Sequence, residues 1–269
     1  SQTHVREAAH LINSAKRPYI LAGQGVLLSN ATKELIAFSE KTGIPVASTL
    51  LGLGAFPTDH PNYVGYLGMH GNYGPNINTN QCDVLIAIGM RFDDRVTGNV
   101  SKYAKQAKVI HIELDKAEIN KIIKADVAVH ADAREALIAL TDLCQPATYP
   151  DWINSFARLN QEEFEKVVEK EIHDTSSLKM AEVVHLLSEL THGQAVVVTD
   201  VGQHQMVTSR YYKYKNPRTN ITSGGAGTMG FALPAALGAK IAAPHQQVIA
   251  IIGDGGYQMT IQELGTIME

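Results

Sequence analysis

The chain has 269 residues, 45% of them hydrophobic and 19% charged, with a formal net charge of −4. That is chain enough for one to two domains with a substantial core, and no basic field speaks for nucleic acid or an anionic membrane. The two cysteines, Cys82 and Cys144, make neither a metal-ligand spacing nor a disulfide framework; they read as small buried hydrophobes in a reducing cytoplasm. No apolar leader opens the chain. The longest apolar tract, "GFALPAALGAKIAA", contains Pro234 and Lys240 and is too short to span a bilayer. The expectation is a soluble, cytoplasmic protein.

The first nineteen residues have an amphipathic helical pattern. "PYILAG" (18–23) reads as a strand, "ATKELIAFSEKTG" (31–43) as a helix ending at Gly43, and "PVAST" (45–49) as the next strand. "DVLIAIG" (83–89) and "AKVIHIELD" (107–115) are strands, the latter followed by a helix-like "KAEINKII" (116–123). "ADVAVHAD" (125–132) is a strand leading into the helix "AREALIALTDLC" (133–144). Continuous β-branched runs separated by helices predict a doubly wound α/β domain, its parallel sheet covered on both faces. From Gln145 the texture changes. "QPATYPDW" is proline-broken and "QEEFEKVVEKEIHDTSS" is highly charged, which reads as a linker and an exposed helix at a domain boundary. A second α/β run follows: helix 178–190, strand 194–202, a glycine loop into a helix over 223–243, strand and loop over 246–256, and a helix opening at "QELGTIME".

Ligands of parallel α/β sheets bind outside the carboxyl ends of the strands. The first strand runs into Gly23 and Gly25, the second into Thr49 and Leu50. The next pair run into Arg91, Asp93 and Arg95 past Gly89, and into Glu113 and Leu114. Glycines let backbone approach a phosphate, arginine offers paired donors, and an acidic residue can hold ribose hydroxyls. Together these describe a dinucleotide site, although "GQG" alone is also a common tight turn and "RFDDR" alone a solvated charge cluster. His70, in the glycine-rich "LGMHGN" (67–72), is either a loop histidine bonded to backbone or a contact to a cofactor ring.

In the second part, Asp254 stands between glycines after the apolar run "VIAII", at the end of a buried strand. A carboxylate there suits Mg²⁺ bridging a diphosphate, and its neighbours Gly255 and Gly256 leave amides to face phosphate. The loop "SGGAGTMG" (223–230) ends at a helix N-terminus, which favours anions. "TDVGQHQM" (199–206) sets Asp200, Gln203 and His204 past another strand end. No serine-hydrolase order appears.

The motifs "RFDDRVTG", "LGMHG", "TDVGQHQM", "TSGGAGTMGFALPAALGA" and "GDGGYQMTIQEL" resemble the large catalytic subunits of acetolactate synthase. These are thiamine diphosphate (pyrophosphate) enzymes of branched-chain amino-acid biosynthesis. The resemblance covers nearly the whole chain. It implies a six-stranded, FAD-binding central domain over 1–173 and the first part of a thiamine-diphosphate domain over 174–269. It puts FAD contacts at Gly23, Gln24, Gly25, Thr49, Leu50, Leu67, Gly68, Met69, His70, Gly89, Arg91, Asp93, Arg95, Glu113, Leu114, Asp132 and Ala133. It puts Gln203, His204, Gly227 and Met229 along the thiamine site, Mg²⁺ on Asp254, and the diphosphate against Gly255 and Gly256. Val207 departs from the Trp many members carry, and Ala226 from a common Leu.

The implied reaction is the decarboxylating condensation of pyruvate with a second 2-oxo acid, in a homodimer with a regulatory small subunit. No catalytic residue is expected within this chain, because the activating glutamate belongs to a preceding domain of the family. The family's second Mg²⁺ ligand, an Asn, is expected beyond Glu269, so the 269-residue chain by itself is expected to be inactive. Alternatives are another FAD-containing thiamine enzyme, of the pyruvate oxidase or glyoxylate carboligase type, and a non-catalytic nucleotide-binding module.

Overall fold

The computed structural model describes residues 2–173 and 177–268. Contacts divide the sequence into two compact units, one up to Glu165 and one from Lys166. The boundary read at 173/174 and the end of the charged helix read over 161–177 involve residues 174–176, outside the described residues.

Unit 1 opens with α1 (Gln2–Ser14). Then come β1 (Pro18–Ala22), α2 (Gln24–Leu28), α3 (Thr32–Thr42), β2 (Val46–Ser48), β3 (Tyr63–Tyr66) and α4 (Tyr73–Thr79). They are followed by β4 (Val84–Ile88), the single turn α5 (Asp94–Thr97), β5 (Lys108–Glu113), β6 (Val127–His130), α6 (Ala133–Leu143) and α7 (Pro150–Glu163). The strands form one six-stranded sheet in the order β3-β2-β1-β4-β5-β6, with every pairing parallel. This is the doubly wound α/β architecture that the apolar runs predict. β1 and β4 are buried at every position, because successive side chains leave opposite faces into two separate cores. Ile20, Ile86 and Ile110 pack with Leu35, Phe38 and Leu137 on one face; Tyr19, Leu85 and Val109 pack with Trp152 and Phe156 on the other. Both cysteines are buried, and burial pushes their thiols up, to about 12 at Cys82 and about 11 at Cys144.

Two local readings are corrected, and one strand went unread. The helix read over 116–123 is a series of turns. Asp115 accepts the Ala117 N–H at 2.8 Å, and Asn120, at φ +62°, accepts the Ala125 N–H at 2.8 Å. These local bonds compete with the helical ladder. The proline-broken segment is a linker only as far as Tyr149. Pro150 occupies the first turn of α7, where it loses no hydrogen bond. That helix returns to unit 1, and the buried Trp152 donates its indole N–H to the Pro18 carbonyl at 2.8 Å. Strand β3 has no apolar run to announce it; Gly65 sits within it at φ +127° and its pairing with β2 is irregular.

Unit 2 contains α8 (Glu169–Ile172), α9 (Met180–Leu190), β7 (Val196–Thr199), α10 (Gln203–Tyr211), β8 (Asn220–Thr222), α11 (Ala232–Ala242), β9 (Val248–Ile251), α12 (Asp254–Thr260) and α13 (Glu263–Met268). Its sheet is parallel, ordered β8-β7-β9. The central β7 is buried throughout. The run read as a buried strand, β9, lies at the sheet edge; Val248, Ile249 and Ile251 are half-buried and Ala250 is exposed. The segment after it, read as loop, is helical from Asp254. No helix among the described residues is long and apolar enough to cross a membrane.

Candidate cofactor sites

In unit 1 all six strands are parallel, so their carboxyl ends share one edge of the sheet. In sheet order that edge carries Leu67–His70 after β3, Thr49 and Leu50 after β2, and Gly23–Gly25 after β1. It continues with Gly89–Arg95 after β4, Glu113 and Leu114 at the end of β5, and Asp132 and Ala133 after β6. Five inter-strand gaps make this edge about 24 Å long. The strand order reverses direction between β1 and β4, which is the crevice where dinucleotides lie in such sheets.

The floor of that crevice is backbone. Gly25 N–H donates to the Gly89 carbonyl at 2.8 Å, and Gly23 N–H to Ile88 at 2.9 Å. A Cβ on Gly89, at φ +57°, would come 2.5 Å from Gly25 Cα. Only glycine lets the two turns close on one another.

The rim is held by local polar bonds. Gly68 and Asn76 bond each other reciprocally: Gly68 N–H to Asn76 Oδ1 at 3.0 Å, and Asn76 Nδ2 to the Gly68 carbonyl at 2.9 Å. Met69 N–H donates to the Arg95 carbonyl at 2.7 Å, joining the β3 and β4 loops. The Met69 side chain is exposed and His70 is half-buried. Leu67, Gly68, Met69 and Arg95, with Asn76, Asn80 and Tyr103 behind them, line a cleft of about 250 Å³. Arg91 and Arg95 are exposed, each beside an aspartate: Arg91 lies 3.4 Å from Asp93 and Arg95 3.7 Å from Asp94.

The acidic residues of this edge are partly spent on the chain itself. Asp93 caps α5, accepting from Arg95 and Val96 N–H, each at 3.1 Å. Asp132 caps α6 through Oδ1 and accepts the Ser29 hydroxyl on Oδ2 at 2.6 Å. The Ser29 bond holds its carboxyl below the ordinary range. Glu113 Oε1 accepts the Leu114 and Asp115 amides.

Unit 2 repeats the device with three strands. Asp200–His204 follow β7, Ser223–Gly230 follow β8, and Gly253–Gly256 follow β9, again on one edge. His204 lies against the glycine turn: a Cβ on Gly253 would come 3.0 Å from its Cε1. Its Nε2 is buried with no hydrogen-bond partner among the described residues. Burial lowers its proton affinity, and Asp200 opposes that shift. The Met229 Cε would stand 3.2 Å from a Cβ on Gly255, so the glycine loop and the "GDGG" turn meet. Gly227 and Gln203 are exposed on the same edge. Asp254 is exposed, its Oδ1 accepting the Gly255 N–H at 2.9 Å.

The thiamine pyrophosphate enzyme central domain matches residues 5–140, and the C-terminal thiamine pyrophosphate binding domain of such enzymes matches residues 200–269. The chain belongs to the thiamine pyrophosphate enzymes. It is 46% identical over 257 residues to the acetolactate synthase large subunit of Lactococcus lactis, covering 95% of this chain and 44% of that protein. It is 44% identical to a probable acetolactate synthase large subunit of Methanocaldococcus jannaschii, covering 98% of this chain and 46% of that one. With the isozyme 3 large subunit of Escherichia coli it shares 39%, over 98% and 47% of the two chains. The chain thus spans about half the length of these curated relatives.

The residues of unit 2 fit the family's cofactor on the donor chemistry present. There is an exposed carboxylate at Asp254, a turn whose glycines are closed upon by His204, Met229 and Asp200, and a buried imidazole nitrogen still lacking a partner. Asp254 is a single carboxylate. No group of three or more His, Cys, Asp or Glu side chains among the described residues could enclose a metal ion.

Sequence reasoning named Asp200 but gave it no place in the site. It is fully buried and accepts the Gly230 N–H at 3.0 Å and the Phe231 N–H at 3.2 Å. The helix N-terminus expected to greet a phosphate is therefore met by the chain's own carboxylate. The signal in the sequence was an acidic residue directly after the buried strand "VVVT".

Proposed function

We propose that this chain is the FAD-binding and part of the thiamine-pyrophosphate-binding region of an acetolactate synthase large subunit. That enzyme condenses pyruvate with a second 2-oxo acid, either pyruvate or 2-oxobutyrate, with loss of CO₂. The observation that supports this most is the agreement of relatives carrying that name over almost the whole chain, joined to a nucleotide-type strand edge in unit 1.

In this reading the 1–173 region seats FAD across the β1/β4 crevice. The glycine floor admits its diphosphate, and Arg91 and Arg95 compensate the charge. In the 174–269 region, Gln203, His204, Gly227 and Met229 contact the thiamine, Gly255 and Gly256 approach the diphosphate, and Asp254 supplies a carboxylate to Mg²⁺. When bound, thiamine pyrophosphate supplies the electron sink for decarboxylation. The residues of this chain bind, orient and partly bury it. A second copy of the large subunit and a regulatory small subunit are the proposed protein partners, in the cytoplasm.

Two measurements test the reading. Titration of the chain with FAD, ADP and NAD is expected to show FAD-selective binding; a preference for NAD would point to a different nucleotide-binding module. The full-length protein, given pyruvate, thiamine pyrophosphate, Mg²⁺ and FAD, is expected to release acetolactate and CO₂. Oxygen-dependent formation of peroxide as the main course of reaction would assign it to an oxidase of the same family instead.

A further inference from the structure

Asp200 stands where all three strand-end segments of unit 2 converge. Its own N–H donates to the Ile251 carbonyl at 3.2 Å, fastening β7 to the end of β9. Its carboxylate takes the Gly230 and Phe231 amides through separate oxygens. It also fills the space in front of Gly256, where a Cβ would overlap Oδ2. Phe231 is the residue that opens α11, an eleven-residue helix. Gly230, at φ +82°, is gripped from both sides, its carbonyl accepting the Thr260 hydroxyl at 3.1 Å. Thr260 ends α12, the helix that starts at Asp254.

A fully buried carboxylate is costly unless hydrogen bonds and a favourable field compensate it. Here two charge-assisted bonds and the positive end of α11 do so. Evenly apolar packing would stabilise this corner at less cost. What the charge adds is geometry: it fixes the glycine loop 223–230 and the turn 253–256 at one separation.

We propose that Asp200 is a positioning residue of the thiamine pyrophosphate site. It is an internal anion that occupies the N-terminus of α11 and registers the glycine loop against the "GDGG" turn, so that the diphosphate meets a preformed wall. The proposal rests on the reading of Asp254–Gly256 as that wall.

Two experiments on the full-length protein test it. In the first, hydrogen exchange is followed at Gly230 and Phe231 without cofactor and again with thiamine pyrophosphate and Mg²⁺. Both amides are expected to be protected beforehand. If they become protected only when the cofactor is added, they face the ligand rather than Asp200, and the proposal is overturned; this needs no variant and so no assumption about folding. In the second, Asp200→Asn is titrated with thiamine pyrophosphate plus Mg²⁺ and with thiamine alone. Affinity for the pyrophosphate form is expected to fall about tenfold or more, as for loss of a charged acceptor from buried donors, while affinity for thiamine stays the same. An equal loss for both ligands would mark general structural damage and overturn a positioning role. Undiminished pyrophosphate affinity would overturn it as well. If the unmutated protein binds no thiamine pyrophosphate at all, the site reading itself fails and the proposal with it. Pyrophosphate affinity that is undiminished in Asp200→Asn, in a protein that does bind thiamine pyrophosphate, removes the proposal alone.

Discussion

The two strand-end edges solve the same problem by different means. In unit 1 the β1 and β4 turns are closed by backbone on backbone, with Gly23, Gly25 and Gly89 too near for any side chain. In unit 2 the β7, β8 and β9 ends are held apart and in register by a buried carboxylate, with an amide pair on one side and a glycine on the other. A backbone floor leaves the surface of the edge free for ligand along its whole length. A charged pin fixes the loops by taking their amides directly.

The largest effect should come from attacking the backbone floor. Gly89→Val adds a branched side chain at φ +57° where Gly25 atoms lie 2.5–2.9 Å from the Cβ position. The expected cost exceeds about 4 kcal/mol, with collapse of the urea midpoint. The matching glycine of unit 2 sharpens the contrast. Gly227 shares the left-handed conformation, at φ +64°, but no atom of the described residues lies within 4 Å of its Cβ position. Gly227→Ala should therefore cost only the backbone strain, about 1–2 kcal/mol, with the cofactor affinities reporting any further role. Near-equal costs for these two variants would dissolve the distinction drawn between the edges.

A smaller effect should follow at the far end of the unit 1 edge. Asp132→Ala removes the α6 cap and the Ser29 bond together, and about 1 kcal/mol is expected in thermal or urea unfolding. Because the folded carboxyl titrates below its ordinary value, this stabilisation is complete above the unfolded carboxylate pKa of about 3.9. It disappears as pH falls through the lower folded value, so the unfolding curves of parent and variant should converge in acid.

The smallest effect concerns His111, buried in β5. Its Nε2 bonds the Met90 carbonyl at 2.9 Å and its ring meets Phe92 edge-on at 5.0 Å. Burial depresses its proton affinity; the Met90 bond, Glu113 and Glu118 oppose that shift. A histidine with a lowered folded pKa contributes stability above its unfolded value of about 6.5, and loses that contribution as pH falls through the folded one. His111→Gln should flatten the decline of unit 1 stability between pH 7 and 5. An unchanged slope would show that His111 does not titrate with unfolding.

The sequence by itself determined the class of fold and which residues share the carboxyl edge of its first sheet. Runs such as 84–88 and 109–112 are satisfied as strands buried on both faces, and a parallel sheet puts every strand's carboxyl end on one edge. The glycines, arginines and "LGMHG" loop therefore fall on that edge without further information. It also determined the family, because the "TDVGQHQM", "SGGAGTMG" and "GDGG" segments keep their order and spacing.

The tertiary structure decided what each polar group is spent on. Asp132 and Asp93 prove to be helix caps, and the α11 N-terminus is already occupied by Asp200. Asp115 and Asn120 turn an apparent helix into turns through bonds to nearby amides. Pro150 begins a helix whose Trp152 is anchored 134 residues back in sequence, at Pro18. Hydrophobic periodicity is a property of neighbouring residues and can be read along the chain. A hydrogen bond accepted by a buried carboxylate depends on which amide folding brings to it, and here that amide lies thirty residues away.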